Sequence, residues 1–457
     1  MTLDASSRFA RALGAAALVV AIGACAAPAQ PPASVGSAVG PASPSTSARA
    51  PGDPRTAPSP SPSPSSPTSR TAAEIARLQA AVEADPSDAD APRDLGFALA
   101  QRVRETADPS LYAPALAAFE AALRIRPDDA LGLVGVAGIQ LGKHEFAAGL
   151  ETARKALALS PSLVAAHAAE VDALVELGRY DEADGAAGVM LGLSVDLSTL
   201  ARVSYLAELR GRLPAALTAM QAAAASPGLA PENTAFVHAL LGNLLVYSGD
   251  PTAAAAAYRT ALVLVPDHPP SLAGQGRLAA GAGRLDEAIV LFGRAASVAP
   301  LPEYVIALGD AQAADGRTDA AARSYELAQA EIRLFEAAGV IVDVDLALME
   351  ADHGDPAAAL AHAMAAHDQT PTVRAADAVA WALHRLGRDR EALVHAQEAL
   401  RLGSTDPILR YHAGAIEAAL GDEKAARRDL GLALATDPGF SGTGVAEVRR
   451  LLASLPD

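Results

Sequence analysis

The stretch DHPPSLAGQGRLAAGAGRLDEAIVLFGRAASVAP, residues 267–300, decides the fold, because the 34 residues before it carry the same skeleton. The earlier copy has Leu241-Gly242, Gly249, Ala254, Tyr258, Ala261 and Pro266. The later one has Gln275-Gly276, Gly283, Ala288, Phe292, Ala295 and Pro300, an offset of 34 at every position. Helical periodicity interrupted by a glycine and closed by a proline describes an antiparallel helix pair. Small residues are required where two helix backbones approach, and an aromatic fills the gap between one pair and the next. A fixed period of this length means that no unit buries an apolar face alone, so the units stack.

The skeleton recurs outward in both directions. Pro127 and Pro161 are 34 apart; Ala183 and Ala216 follow Gly178 and Gly211; Ala321, Tyr325 and Ala328 follow Gly316. It returns as Gly387, Ala392, Ala396 and Ala399, then as Gly421, Ala426, Leu430, Ala433 and Pro438. This pattern resembles the tetratricopeptide repeat, with about ten units over residues 88–440. The aromatic expected early in the first helix is missing from most copies, with His238 or Leu272 in its place. Residues 104–112 add loop to the first unit and residues 329–342 lengthen a central helix pair. The resemblance implies an all-α solenoid, a right-handed superhelix of antiparallel helix pairs over residues 71–440. EIARLQAAVEA, residues 74–84, is expected to cap its start, and residues 441–457, with VAEVRRLLAS at 445–454, its end.

Composition agrees with that class. Hydrophobic residues make up 51% of the 457 and aromatics only 4%, because alanine supplies much of the apolar content, and alanine favours closely packed helices. Residues 71–457 hold 51 of the 53 acids and 31 of the 36 bases, a formal charge of −20. A body of that sign repels phosphate backbones and anionic lipid, so nucleic-acid partners are not expected. With one cysteine there is neither an internal disulfide nor a cysteine zinc cluster.

That cysteine, Cys25, sits in a different kind of sequence. MTLDASSRFARAL carries Arg8 and Arg11 and leads into GAAALVVAIGA, eleven apolar residues, too few to span a bilayer comfortably. Basic, apolar and small-residue segments in that order describe a secretory leader. Ile22-Gly23-Ala24-Cys25 resembles the lipobox of bacterial lipoproteins, which implies a leader over residues 1–24 and lipidation of Cys25. Residues 25–70 are dominated by Pro, Ser, Ala and Thr and read as a disordered stalk, with a reach on the order of 140 Å when extended. The expected location is the outer face of the cytoplasmic membrane, or the periplasm or outer membrane of a two-membrane cell.

Fragments that look catalytic fail in context. Gly274-Gln275-Gly276-Arg277-Leu278-Ala279 fits a dinucleotide loop but has no strand before it. His144-Glu145 lacks the second histidine of a zinc helix, since Ala148 stands there. His353, His362 and His367 are spaced by nine and five, which puts no two on one helical face at i, i+4. No cofactor, metal or catalysis is expected. What remains is a binding surface. In the family it resembles, the first helices of successive units line a concave groove for an extended peptide. The polar and aromatic candidates there are Asp172, Arg202, Tyr205, Asn243, Arg277, Asp310, Arg374, Asp377, Trp381, His384, Arg385, Tyr411 and His412, richest from Arg374 to His412. The family's carboxylate-clamp residues are absent. The expected role is a membrane-anchored, non-catalytic scaffold for a protein or peptide, with a self-assembling envelope component as the alternative.

Overall fold

The computed structural model describes residues 67–226, 230–441 and 444–456, so the leader, Cys25 and most of the stalk lie outside the described residues. The described chain is all-helical, with 22 α-helices. Helix α1 (Pro67–Ala84) precedes ten antiparallel pairs. The first five are α2 (Asp90–Thr106) with α3 (Tyr112–Ile125), α4 (Ala130–Gly142) with α5 (Phe146–Leu159), α6 (Val164–Glu176) with α7 (Tyr180–Leu193), α8 (Leu197–Leu209) with α9 (Leu213–Ala225), and α10 (Pro231–Tyr247) with α11 (Pro251–Leu264). Then come α12 (Pro269–Gly281) with α13 (Leu285–Val298), α14 (Pro302–Ala314) with α15 (Thr318–Ala337), α16 (Asp343–His353) with α17 (Pro356–Gln369), α18 (Val373–Arg385) with α19 (Asp389–Ala399), and α20 (Pro407–Leu420) with α21 (Glu423–Thr436). Helix α22 (Gly444–Ser454) packs on the last pair. Helix α1 begins four residues inside the segment read as stalk, because Pro67 suits the first turn of a helix as well as it suits a linker.

Local chemistry sets the boundaries. Prolines open α10, α11, α12, α14, α17 and α20, where a missing N–H costs nothing. The Asp129 side chain caps α4 by accepting from the Leu131 and Gly132 amides, and Asp196, Asp250 and Asp406 do the same for α8, α11 and α20. The repeated small residues mark real contacts. The Tyr258 ring of α11 wedges between α10 and α12, where a methyl on Gly242 or Gly274 would lie 2.3 or 2.4 Å from it. Tyr258, Phe119 and Leu430, at equivalent places in three units, are all fully buried.

The superhelix also closes on itself. The turn inside each of the first four pairs meets the loop that enters a pair six further on. Ala107, just after α2, shares an apolar cluster with Ala299 and Tyr304 at the start of α14. The Ile341 amide before α16 donates to the Lys143 carbonyl (3.1 Å), and the Tyr180 hydroxyl accepts from the Val373 amide (3.0 Å). A methyl on Gly178 would lie 2.6 Å from the Pro371 carbonyl, and one on Gly211 would lie 2.1 Å from that of Gly403. Gly281, the last residue of α12, also packs against the Gly439 backbone ahead of α22, 3.1 Å from where a methyl would stand. Successive superhelical turns therefore abut along a continuous seam, and the array is a tube rather than an open trough. Lengthened α15 and the loop after it supply part of that seal: Ile332 of the helix and Val340 and Val342 of the loop bury with Leu99, Val103 and Tyr112 of the first pair.

Candidate functional site

The first helix of each pair faces the inside of this tube, so the concave surface has become a lumen. Most of the residues expected to line a peptide groove do not reach it. Trp381 is 1% exposed, donates its indole N–H to Asp352 (2.6 Å) and stacks on His412 with ring centroids 4.0 Å apart. Tyr411 is buried with its hydroxyl on Glu447 (3.0 Å), and His412 is buried with Nδ1 on Asp377 (2.9 Å). Arg385 donates to the Ala351 carbonyl (2.8 Å), and His384 bonds Asp389, its basicity lowered by burial. The region that looked richest in groove contacts is thus inter-repeat core, a correction with a simple cause. Aromatics and polar groups on a first helix are as useful for tying it to the next first helix as for facing solvent.

The same holds elsewhere. Arg202, 1% exposed, forms a two-pronged pair with Asp172 (2.9 and 2.6 Å) across α6 and α8. Burial pushes the Asp172 carboxyl up more than Arg202 pulls it down. Asp310 is buried and accepts from the Tyr325 hydroxyl (3.0 Å), and Asn243 accepts from the Tyr258 hydroxyl (2.7 Å) and from Arg277 of the next repeat. Of the expected contacts, Tyr205 and Arg374 do line the lumen, and Asp377 borders it while holding His412.

Three connected cavities, of about 130, 70 and 80 Å³, run along that lumen. The first and second share His144, Val342 and Asp345, and the second and third share Arg374. Together they are lined by seven carboxylates (Glu176, Glu208, Glu232, Glu303, Asp345, Asp377 and Asp406) and two arginines (Arg104 and Arg374). Burial pushes Glu208 up to about 8, with Asp406 adding repulsion. Burial likewise takes Glu176 and Glu303 to about 7; Asp345 repels both, and Arg374 offsets part of the rise. Arg374 is 3.5 Å from Asp345, and with Glu176 that carboxylate outweighs the cost of burying the guanidinium. Each of these volumes admits a few waters, a small cation or one side chain.

Apart from Asp377 these carboxylates were not singled out from the sequence, yet two of the others carry a signal. Glu176 is the last residue of α6 and Glu208 the last but one of α8, where the helix dipole disfavours negative charge. An acid at the wrong end of a helix needs another reason to be there.

Residues 240–304, which span the Tyr258 wedge, match the tetratricopeptide repeat family. That segment is a tetratricopeptide repeat. Solved structures that the chain is similar to include the human IFIT1 dimer with PPP-AAAA, at 15% identity over 69% of this chain and 73% of that one, TM-score 0.45. A tetratricopeptide repeat protein from Parabacteroides merdae ATCC 43184 is 16% identical over 56% of this chain and 97% of its own, TM-score 0.33. The tetratricopeptide domain of P58(IPK) is 15% identical over 80% and 98%, TM-score 0.22. No curated protein matches the sequence. Tetratricopeptide arrays are protein-interaction scaffolds, and the fold of this repeat protein puts it in that broad class.

Proposed function

We propose that this repeat protein is a non-catalytic scaffold, held by a lipid on Cys25 outside the cytoplasmic membrane, that takes cationic side chains of a protein partner into its acidic lumen. The lumen's charge carries the reading: seven carboxylates against two arginines, in a low-dielectric enclosure that strengthens every interaction inside it. The lipobox-like Ile22-Gly23-Ala24-Cys25 and the proline-rich tract after it supply the anchor and the stalk. Binding should release protons from Glu176, Glu208 and Glu303, so affinity for a cation rises from pH 6 to pH 8.

Two measurements test this. Wild type and Cys25→Ala are expressed with a labelled fatty acid, and only the wild type should take up label. Soluble Cys25→Ala protein is titrated with oligolysine and oligoglutamate peptides at two salt concentrations, and equal binding of both would sink the lumen assignment. A second reading, self-assembly, is favoured by exposed apolar residues at and just past the C-terminal ends of the second helices, where Ile125, Leu159, Leu193, Val195 and Val263 are 42, 49, 43, 70 and 83% exposed. Light scattering across concentration separates the two.

A further inference from the structure

His367 near the end of α17 and His395 with Glu398 in the last turns of α19 converge from consecutive repeats, and none of the three lines the lumen cavities described above. His367 Nε2 lies 3.0 Å from Glu398 Oε1 and His395 Nδ1 lies 3.5 Å from Glu398 Oε2, and all three ligand atoms fall within 4.8 Å of one another. We propose that these three side chains form a divalent transition-metal site, of the zinc class, that pins the eighth repeat to the ninth.

Four observations point the same way. Two imidazoles and a carboxylate are a donor set that zinc accepts, with water in the fourth position. Bonds of about 2.0–2.1 Å in a tetrahedron put ligand atoms about 3.3 Å apart. The two imidazole nitrogens lie 3.0 and 3.5 Å from the two different oxygens of Glu398, and one atom from each residue lies within 4.8 Å of the others, so a modest inward rotation brings the three to that spacing. His395 Nδ1 is buried and has no hydrogen-bond partner among the described residues, a state that a bound ion would relieve. Finally, both helices present their C-terminal ends, where the dipole favours a cation. The spacing along the sequence concealed this arrangement, because the second histidine comes from another helix. Side chains here are 21–31% exposed, so an ion can reach them from solution.

One group opposes the site. Arg401 approaches Glu398 Oε1 at 3.7 Å, donates to the Pro371 carbonyl (2.9 Å) and lies over the Tyr180 ring. The arginine faces the same oxygen that His367 faces, so it competes with an ion there and lowers affinity through charge. Pro371 is itself on the seam, so the ion would also steady the loop that closes the tube.

The test uses the full chain, stripped with a chelator and titrated with zinc sulfate by calorimetry. Cobalt(II) provides an absorption spectrum that reports four-coordinate nitrogen and oxygen ligation. One equivalent should bind. His367→Gln and His395→Gln should each weaken binding at least tenfold while leaving the far-ultraviolet circular dichroism unchanged, and Arg401→Gln should tighten it several-fold. Absence of micromolar binding in the wild type would overturn the proposal. So would a His367→Gln/His395→Gln protein that binds as tightly as wild type, or weaker binding in Arg401→Gln.

Discussion

Gly211 and Gly283 occupy the same turn in two repeats, with φ of +65° and +73°, and they differ in what surrounds them. An added methyl at Gly283 meets nothing within 4 Å, whereas at Gly211 it would lie 2.1 Å from the Gly403 carbonyl oxygen across the seam. Both alanine substitutions incur the cost of a non-glycine residue in the left-handed region, about 1–2 kcal/mol. Only Gly211→Ala forces two backbones apart, and because neither is the end of a flexible side chain, the overpacking cost of about 1–3 kcal/mol is not relieved by a rotamer change. We expect Gly211→Ala to be the less stable of the two by that difference in urea unfolding. Amide exchange should speed up at residues 402–406 in Gly211→Ala and stay unchanged there in Gly283→Ala. Equal stability of the two variants, or equal protection at 402–406, would refute the seam as a stabilising contact.

The lumen carboxylates and the buried ion pair give two further expectations. Glu208 is pushed up to about 8 from an ordinary 4.5, so its contribution to stability is intact below about pH 4.5 and is lost as pH rises toward 8. The full shift sets a ceiling of about 5 kcal/mol, and partial contact with water reduces it to about 1–3 kcal/mol. Glu208→Gln should therefore stabilise the protein by that amount at pH 8.5 and hardly at all at pH 5, and an equal gain at both would rule the cause out. Arg202→Met strands the Asp172 carboxylate in the core and should cost about 3–5 kcal/mol, while Arg202→Met with Asp172→Leu should recover most of it. Denaturant unfolding of the two variants decides the point, and a double variant as unstable as the single one would contradict it.

The helix pairs were legible because each rests on local chemistry repeated every 34 residues: a glycine turn, a proline, a ring set against small residues. Tyr258 could be read from sequence as a wedge, and it is one. The seam could not be read, because it joins residues such as Gly178 and Pro371, which are remote in sequence and share no motif. Without the seam, polar residues on the first helices look like groove contacts. Trp381, Tyr411 and His412 have the composition of a binding hot spot, and only the position of Asp352, Glu447 and Asp377 reveals that the indole N–H, the tyrosine hydroxyl and the histidine Nδ1 are already used. His144 gave a different hint: a non-glycine residue at φ +60° where other repeats have glycine. Its ring reaches the Ile341 carbonyl across the seam, which accounts for its place in the turn.

A linear stack of repeats is statistically a chain, in which a break at any joint leaves both sides folded and each end frays at its own rate. Joining the turn at Tyr180 to the loop at Val373 gives a repeat neighbours in a second direction, as in a patch of lattice. Opening one joint then strains contacts a full superhelical turn away. Melting by pieces gives way to a single transition, and the terminal pairs inherit protection from the middle of the array.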